Sequence, residues 1–259
     1  MEVRCGEQLL ILDGGTGLRP LGETLRREGV RRAMFLFSHV HWDHIQGFPF
    51  FLPAFDRKAT FEILAGEELL PSLDLVLTRQ MTPPNFPIRL QDMGATFSFH
   101  PVQPGQEIVR DEVRIEALSL RHPSANYGYR IQYRDSALVY ATDTEHPPNG
   151  VDPHLAAFSR GADLLIYDAQ FTPEEYDGSS DGRPRRGWGH STPEDGARLA
   201  AESQVRCLAL FHHDPSHDDE TIRQMELQAQ AIFPHSLAAH EGLALDLGEG
   251  APCARCPIP

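Results

Sequence analysis

Residues 39–44 (HVHWDH) place four metal-binding side chains within six positions. They directly follow residues 32–37 (RAMFLF), a run that predicts a buried strand. Imidazoles and a carboxylate suit Zn, Fe, Mn or Co. The H-x-H spacing lets two imidazoles reach one ion, while Asp43 and His44 turn toward a second. The chain is therefore expected to build a sheet that ends in a metal centre.

Apolar periodicity elsewhere predicts alternating short strands and helices, an α/β fold. Strands are predicted at 7–12, 59–65, 95–102, 107–110, 113–120, 127–133, 137–142, 163–168, 206–211 and 237–247. Helices are predicted at 18–29, 67–79, 153–160, 193–203 and 219–232. We expect a single domain over residues 1–247, a mobile loop at 177–189 and a frayed tail at 248–259.

A length of 259 residues is normal for one α/β enzyme domain. Because the apolar runs are far too short to span a bilayer, we expect no transmembrane helix. The N-terminal residues lack the apolar stretch of a signal peptide, so a cytoplasmic location is expected. Four cysteines, with Cys5 and Cys207 far apart, predict no disulfide framework and fit a reducing compartment.

Further ligand-type residues follow later predicted strands. His122 follows strand 113–120, Asp143 ends the strand at 137–142, and His212 ends the strand at 206–211. Each residue alone is a weak signal. Their shared placement at the carboxyl ends of strands, where sheet-based active sites gather, favours a common site.

Seven segments together carry a family resemblance. They are ILDGGTG (11–17), SHVHWDHIQG (38–47), RHPSANYGYRI (121–131), YATDTE (140–145), LIYDAQ (165–170), GHSTPEDGARLA (189–200) and CLALFHHDP (207–215). The sequence resembles the metallo-β-lactamase superfamily in its phosphodiesterase branch, which includes ribonuclease Z. The resemblance implies an αββα sandwich, in which two mixed β-sheets are flanked by helices.

The resemblance also implies a two-metal site. One ion would take His39, His41 and His122, a second would take Asp43, His44 and His212, and Asp143 would bridge them. His213 is the alternative to His212. The ions would be divalent transition metals, with Zn expected and Mn, Fe or Co as alternatives. Asp13 is expected to support the site from a turn rather than to bind metal.

The implied mechanism is in-line attack on phosphorus by a hydroxide held between the two ions. The leaving oxygen needs a proton. His190 is the candidate general acid, and Asp168 is the candidate partner that orients its imidazole. The predicted catalytic residues are therefore Asp43, His190 and Asp168.

The main functional hypothesis is a phosphodiesterase for small phosphodiesters, most of all cyclic nucleotides. The chain looks most like bacterial and phage cyclic-nucleotide phosphodiesterases, including the anti-Pycsar type. A net charge of −14 disfavours a long nucleic acid as partner. The alternatives are a ribonuclease Z-like tRNA 3′-endonuclease, a lactonase or thioesterase-type hydrolase, and a non-catalytic metal-binding nucleotide sensor.

A homodimer is also predicted. Residues 47–53 (GFPFFLP) form an apolar, proline-rich stretch beside the metal motif. We expect part of this stretch to stay exposed, and exposed apolar patches usually mark a partner surface. Two-fold homodimers are the commonest closed assemblies.

Overall fold

The computed structural model describes residues 1–248, so the predicted tail lies almost wholly outside the described residues. The chain divides into two compact units, Met1–Gln106 and the part from Glu107 onward. Each unit contains one mixed sheet with helices, which confirms the predicted α/β class. That residues 1–247 act as a single domain stays a prediction.

The first unit is built on a five-stranded sheet in the order β1-β2-β3-β4-β5. The strand pair β1/β2 is antiparallel, and the other pairs are parallel. The elements are β1 (Glu2–Cys5), β2 (Gln8–Leu12), α1 (Leu18–Glu28), β3 (Arg32–Phe37), α2 (Trp42–Ile45), β4 (Thr60–Gly66), α3 (Leu70–Gln80) and β5 (Thr96–Val102). Short 3-10 turns lie at Phe48–Phe50, Leu52–Phe55 and Leu90–Asp92.

The core of the first unit is aromatic. Phe35 on β3 packs edge-to-face against Phe51 and Phe61, with ring centroids 5.3 and 6.0 Å apart. Phe48 and Phe51 are fully buried, yet the expectation that part of residues 47–53 stays exposed is confirmed. Of this stretch only Phe50 is exposed. The two 3-10 turns reverse the chain often enough for its apolar side chains to reach the core.

The second unit is built on a seven-stranded sheet in the order β12-β11-β10-β9-β8-β7-β6. Strands β9 to β12 run parallel, and β6 to β9 are joined antiparallel. The elements are β6 (Glu107–Arg110), β7 (Val113–Ser119), β8 (Tyr127–Tyr133), β9 (Ser136–Ala141), α4 (Pro153–Ser159), β10 (Leu164–Asp168), α5 (Pro173–Asp177), α6 (Pro193–Ser203), β11 (Leu208–Phe211), α7 (Asp219–Ile232) and β12 (Ser236–Ala238).

Local chemistry sets several element ends as predicted. Thr192 Oγ1 accepts the backbone N–H of Asp195 and caps α6, which begins at Pro193. Gly29 ends α1 in the left-handed region that glycine tolerates best. The predicted strand at 237–247 is mostly wrong, because β12 pairs with β11 for only three residues. Beyond it, a turn follows His240.

The expectation of no transmembrane helix rests on the short apolar runs. None of the helices within residues 1–248 is long and apolar enough to cross a membrane.

Cys207 is disulfide-bonded, whereas Cys5 is a free, buried thiol. The bond at Cys207 departs from the expectation that the cysteines fit a reducing compartment.

Candidate metal centre

Parallel strands β2 and β3 end side by side in the first unit, and polar residues follow both of them. Asp13 follows β2 and Ser38 follows β3. The Asp13 carboxylate accepts the backbone N–H and the hydroxyl of Ser38, both at 2.7 Å. It also accepts the Nδ1–H of His44 at 2.9 Å, since a carboxylate can only accept. As predicted, Asp13 supports the metal motif from a turn.

These contacts fix which ring nitrogen of two histidines carries the proton. The Ser38 hydroxyl donates to Asp13, so it accepts from His39 Nδ1 at 3.1 Å. With Nδ1 protonated in both His39 and His44, Nε2 is the lone-pair nitrogen of each neutral ring. Metal-binding histidines usually have this arrangement, in which the second ring nitrogen donates to a carboxylate or another oxygen. The donor set of the first unit therefore fits a transition metal.

His41 and Asp43 complete this cluster. The ring of His39 lies 4.4 Å from that of His41 and 4.2 Å from that of His44, measured between centroids. An Asp43 carboxylate oxygen lies 3.2 Å from His44 Nε2. The structure therefore brings together all four ligand-type residues of the first predicted motif.

Gly15 and Gly47 allow the segment that carries Asp43 and His44 to pack closely against the turn after β2. A Cβ on Gly47 would lie 2.0 Å from the carbonyl oxygen of Gly15, and a Cβ on Gly15 would lie 2.4 Å from that of Asp43. Backbone bonds join the same segments, from Gly14 N–H to His44 O and from Gly47 N–H to Gly14 O. Only glycine fits at positions 15 and 47 without moving the backbone that carries Asp43.

Buried Asp13 is charged. Burial raises the pKa of its carboxyl group, but the nearby His44 and His39 and the backbone N–H of Ser38 lower it more, so the pKa lies below its ordinary value. The carboxylate can thus hold His44 in the required tautomer.

Strands β9, β10 and β11 are adjacent and parallel in the second unit, so their carboxyl ends meet at one edge. Asp143 follows β9, Asp168 is the last residue of β10, and His212 follows β11. His212 Nε2 lies 3.3 Å from Asp143 Oδ1. With His190, these residues form a cluster whose ligand atoms all lie within 4.8 Å of one another.

Asp168 is the centre of this cluster and is fully buried. Its Oδ2 accepts the Nδ1–H of His190 at 2.8 Å and the backbone N–H of Asp143 at 3.0 Å. Its Oδ1 accepts the backbone N–H groups of Ser191 at 2.8 Å and Gln170 at 3.2 Å. Asp168 thus accepts four N–H donors, which come from His190 and from the backbone of three neighbouring residues.

His122 belongs to the same end of the second unit. Its ring lies 6.0 Å from that of His190, and its Nδ1 lies 3.0 Å from Ser124 Oγ. A Cβ on Gly189 would come within 2.3 Å of the His122 ring, so the chain entering His190 packs directly on His122.

Asp143 has left-handed backbone, with φ of 53°. Such a conformation costs a non-glycine residue roughly 1–3 kcal/mol and often marks functional positions. Asn126 stabilises it, since its Nδ2 donates to the carbonyls of Asp143 at 2.6 Å and Thr142 at 3.1 Å. His212, with φ of 61°, is another such residue.

His213 is separate from this cluster. Burial lowers the pKa of its imidazole, which favours the neutral ring. Of the two adjacent histidines, His212 is the one whose Nε2 lies 3.3 Å from Asp143 Oδ1.

Sequence reasoning missed two polar residues of the second unit. Ser191 Oγ donates to Thr144 O at 2.6 Å and contacts the Tyr167 hydroxyl at 3.0 Å. Glu145 binds backbone N–H groups of the loop that leads to His190. Burial raises the pKa of Glu145, but its hydrogen bonds lower it more, so it lies below the ordinary value. No local pattern marks either residue, because their partners lie far away in sequence.

Comparison with known proteins assigns the family. The model of the beta-lactamase superfamily domain matches residues 10–213, so the chain belongs to this superfamily. Ribonuclease Z of Synechococcus sp. (strain WH7803) is 25% identical over 299 residues, covering 94% of this chain and 85% of the relative. Ribonuclease Z of Metallosphaera sedula is 26% identical over 279 residues, covering 94% and 88%.

Solved structures share the fold. The metallo-β-lactamase fold protein YhfI from Bacillus subtilis has a TM-score of 0.67 at 21% identity, covering 92% of this chain and 86% of YhfI. A diphosphatase from the PhnP family has a TM-score of 0.68 at 20% identity, covering 95% and 83%. The chain is thus a hydrolase of the metallo-β-lactamase superfamily, which confirms the family resemblance.

Proposed function

We propose that this protein is a dinuclear-metal phosphodiesterase that hydrolyses small phosphodiesters, with cyclic nucleotides as its substrates. The observation that carries the proposal is the pairing of His190 with buried Asp168 at 2.8 Å. When a phosphodiester is cleaved, the departing alkoxide needs a proton, and an imidazole held by a buried carboxylate can supply it.

The proposed metal ligands are those inferred from the motifs. His39, His41 and His122 would hold one ion, Asp43, His44 and His212 the other, and Asp143 would bridge them. The hydrogen bonds of His39 and His44 within the first unit support this assignment, as does the contact between His212 and Asp143 in the second. Bound divalent ions, with zinc proposed, would supply an activated water and positive charge for the phosphoryl oxygens.

His190, held by Asp168, would supply the proton that the leaving oxygen needs. Asp168 holds Nδ1–H of His190, so the other nitrogen, Nε2, faces away from Asp168 and is available to the leaving oxygen. In the imidazolium form both nitrogens carry protons, and the carboxylate stabilises this cation. His190 would give its Nε2 proton to the departing ribose oxygen and return to the neutral ring.

A ribonuclease Z-like tRNA 3′-endonuclease is the second candidate, because relatives covering most of the chain carry that name. A net charge of −14 argues against it, since binding a polyanion relies on basic side chains. The sequence also has no Gly/Lys-rich inserted arm of the kind by which many ribonuclease Z proteins hold tRNA.

A substrate panel separates these functions. Purified protein would be assayed with 3′,5′- and 2′,3′-cyclic nucleotides, cyclic dinucleotides, precursor tRNA and a lactone, with the metal content of the same sample measured. Turnover of a cyclic nucleotide that exceeds turnover of the others supports the proposal. Preferred cleavage of precursor tRNA would replace it with the second candidate. No turnover by fully metal-loaded protein would favour a non-catalytic sensor.

The proposal includes a cytoplasmic homodimer. Within the described residues, the support left for the dimer is the exposure of Phe50 and Phe55 in the first unit. Light scattering at micromolar concentration would test it, and a monomeric mass would count against the dimer.

A further inference from the structure

One carboxylate fastens the chain that leads into His190. Glu145 Oε1 accepts the backbone N–H of Gly187 at 2.8 Å, and Glu145 Oε2 accepts that of Gly189 at 3.1 Å. The Tyr176 hydroxyl donates to Glu145 Oε1 at 2.7 Å. Three donors from two separate segments thus converge on one side chain.

The anchored positions lie immediately before His190. Gly187 and Gly189 both have left-handed backbone, with φ of 83° and 92°, which turns both N–H groups toward Glu145. Gly189 is also packed against His122. A change in the path of residues 187–189 would therefore move His190 directly.

The other end of the loop is held through the same carboxylate. Tyr176 lies on α5, whose start is fixed by a capping box between Thr172 and Glu175. The backbone N–H of Arg185 donates to Tyr176 O at 2.9 Å. Glu145 itself follows β9 by four residues, so it ties α5 and the loop to the strand end that carries Asp143.

We propose that Glu145 is a positioning residue, which holds residues 187–189 so that His190 stays on Asp168 and faces the leaving oxygen. This inference rests on the proposed function. Glu145 acts through the backbone and touches no reacting atom. A glutamine would keep one acceptor oxygen and replace the other with an NH₂ group. An NH₂ group cannot accept a hydrogen bond, so at least one of the three donors would lose its acceptor.

The loop restraint can be measured without an activity assay. Arg186 and Gly187 are exposed, but a protease needs the backbone around the cleaved bond to leave its folded turn. Tryptic cleavage after Arg186 therefore follows the population of the open loop. Glu145→Gln should speed cleavage at this bond by about tenfold or more, because the loop loses hydrogen bonds to a charged acceptor. Glu174→Gln is the matched control, since it removes the same charge from an exposed residue of α5.

The effect of Glu145 on His190 can be measured by comparing hydrolysis rates of two substrates whose leaving groups differ in their need for a proton. Glu145→Gln should slow hydrolysis of a 3′,5′-cyclic nucleotide about tenfold and that of bis(p-nitrophenyl) phosphate less than about twofold, as p-nitrophenolate hardly needs a proton. Adding Glu145→Gln to His190→Ala should have no further effect on the cyclic nucleotide, because the two residues act on one step. If Glu145→Gln does not fold, Tyr176→Phe removes one of the three donors and should show the same pattern more weakly.

Unchanged cleavage after Arg186 in both variants would overturn the proposal, as would equal losses on the two substrates or additive losses in the double variant. Failure of the proposed function would give a different result, which the His190→Ala variant alone reveals. If His190→Ala itself shows no leaving-group selectivity, the proton-donor role fails. The tryptic cleavage then still decides whether Glu145 holds the loop, and a loosened loop without an effect on His190 would overturn the positioning role.

Discussion

The rings of His190 and His212 stack on each other, with centroids 5.1 Å apart and planes 8° apart. Each ring is set by a different carboxylate: His190 donates to Asp168, and His212 contacts Asp143. The backbone N–H of Asp143 in turn donates to Asp168. The candidate proton donor and a candidate metal ligand therefore belong to one hydrogen-bonded assembly.

Loss of the imidazole at position 190 should depend on the leaving group. His190→Ala is expected to slow cyclic-nucleotide hydrolysis by roughly 10²–10⁴, the usual size of a general-acid effect. Hydrolysis of bis(p-nitrophenyl) phosphate should fall much less. Steady-state rates at confirmed metal content check this, with the exposed His154→Ala as the control. Equal losses on both substrates would show that His190 has another role.

Asp168→Asn should affect stability as well as rate. An asparagine keeps one acceptor oxygen, whereas the carboxylate satisfies four N–H donors in a fully buried position. Each buried donor that loses its acceptor costs about 1–3 kcal/mol. We therefore expect a lower Tm and a displaced Asp143, together with slower cyclic-nucleotide hydrolysis. A variant with wild-type Tm would argue that the Asp168 network contributes little to folding.

Removing the carboxylate behind His44 should weaken metal binding. Asp13→Asn loses the negative charge that holds His44 in the Nδ1–H tautomer, and changes to such partners typically cost about 10–100-fold in metal affinity. Titration against a chelator of known affinity measures this, with Asp74→Asn, an exposed residue of α3, as the control. Wild-type protein should hold about two ions per chain. Affinity equal to the wild type in Asp13→Asn would refute the proposed support.

Two glycines of the same loop give a matched pair. Gly182 and Gly189 both have positive φ, but a Cβ on Gly182 meets nothing within 4 Å, whereas one on Gly189 meets the His122 ring. Alanine at either position should cost about 1–2 kcal/mol of stability from its backbone conformation. Only Gly189→Ala should also reduce phosphodiesterase activity. Denaturant unfolding and rate measurements separate the two effects, and equal activity in the two variants would contradict the close packing on His122.

The ionised form of Glu145 should stabilise the fold in a pH-dependent way. Its pKa in the folded state lies below the ordinary 4.5, since its hydrogen bonds outweigh burial. Its contribution is therefore complete above pH 4.5 and is lost as the pH falls through the folded-state pKa. The difference in urea midpoint between wild type and Glu145→Gln should narrow from pH 7 toward pH 3. A constant difference would show that the charge of Glu145 is not involved.

The sequence alone determined most of the elements and the types of candidate ligand. Residues 32–37 are apolar enough to predict β3 at its observed bounds, and Thr192-Pro193 marks the start of α6. The resemblance paired His190 with Asp168 across 22 residues, and the structure places them in hydrogen-bond contact. These features could be predicted because they depend on local pattern or on a motif set with specific spacing.

Only the tertiary structure decided the supporting contacts. Glu145, Ser191 and Asn126 each bind backbone groups of segments distant in sequence, and no local pattern records such partners. Tertiary packing likewise decided which part of residues 47–53 is buried, with Phe48 and Phe51 in the core and Phe50 exposed. Apolar character shows that a side chain favours burial, but whether a core is within reach depends on how the chain turns. The candidate ligands could therefore be predicted from the sequence, whereas the hydrogen bonds around them depend on how the chain folds.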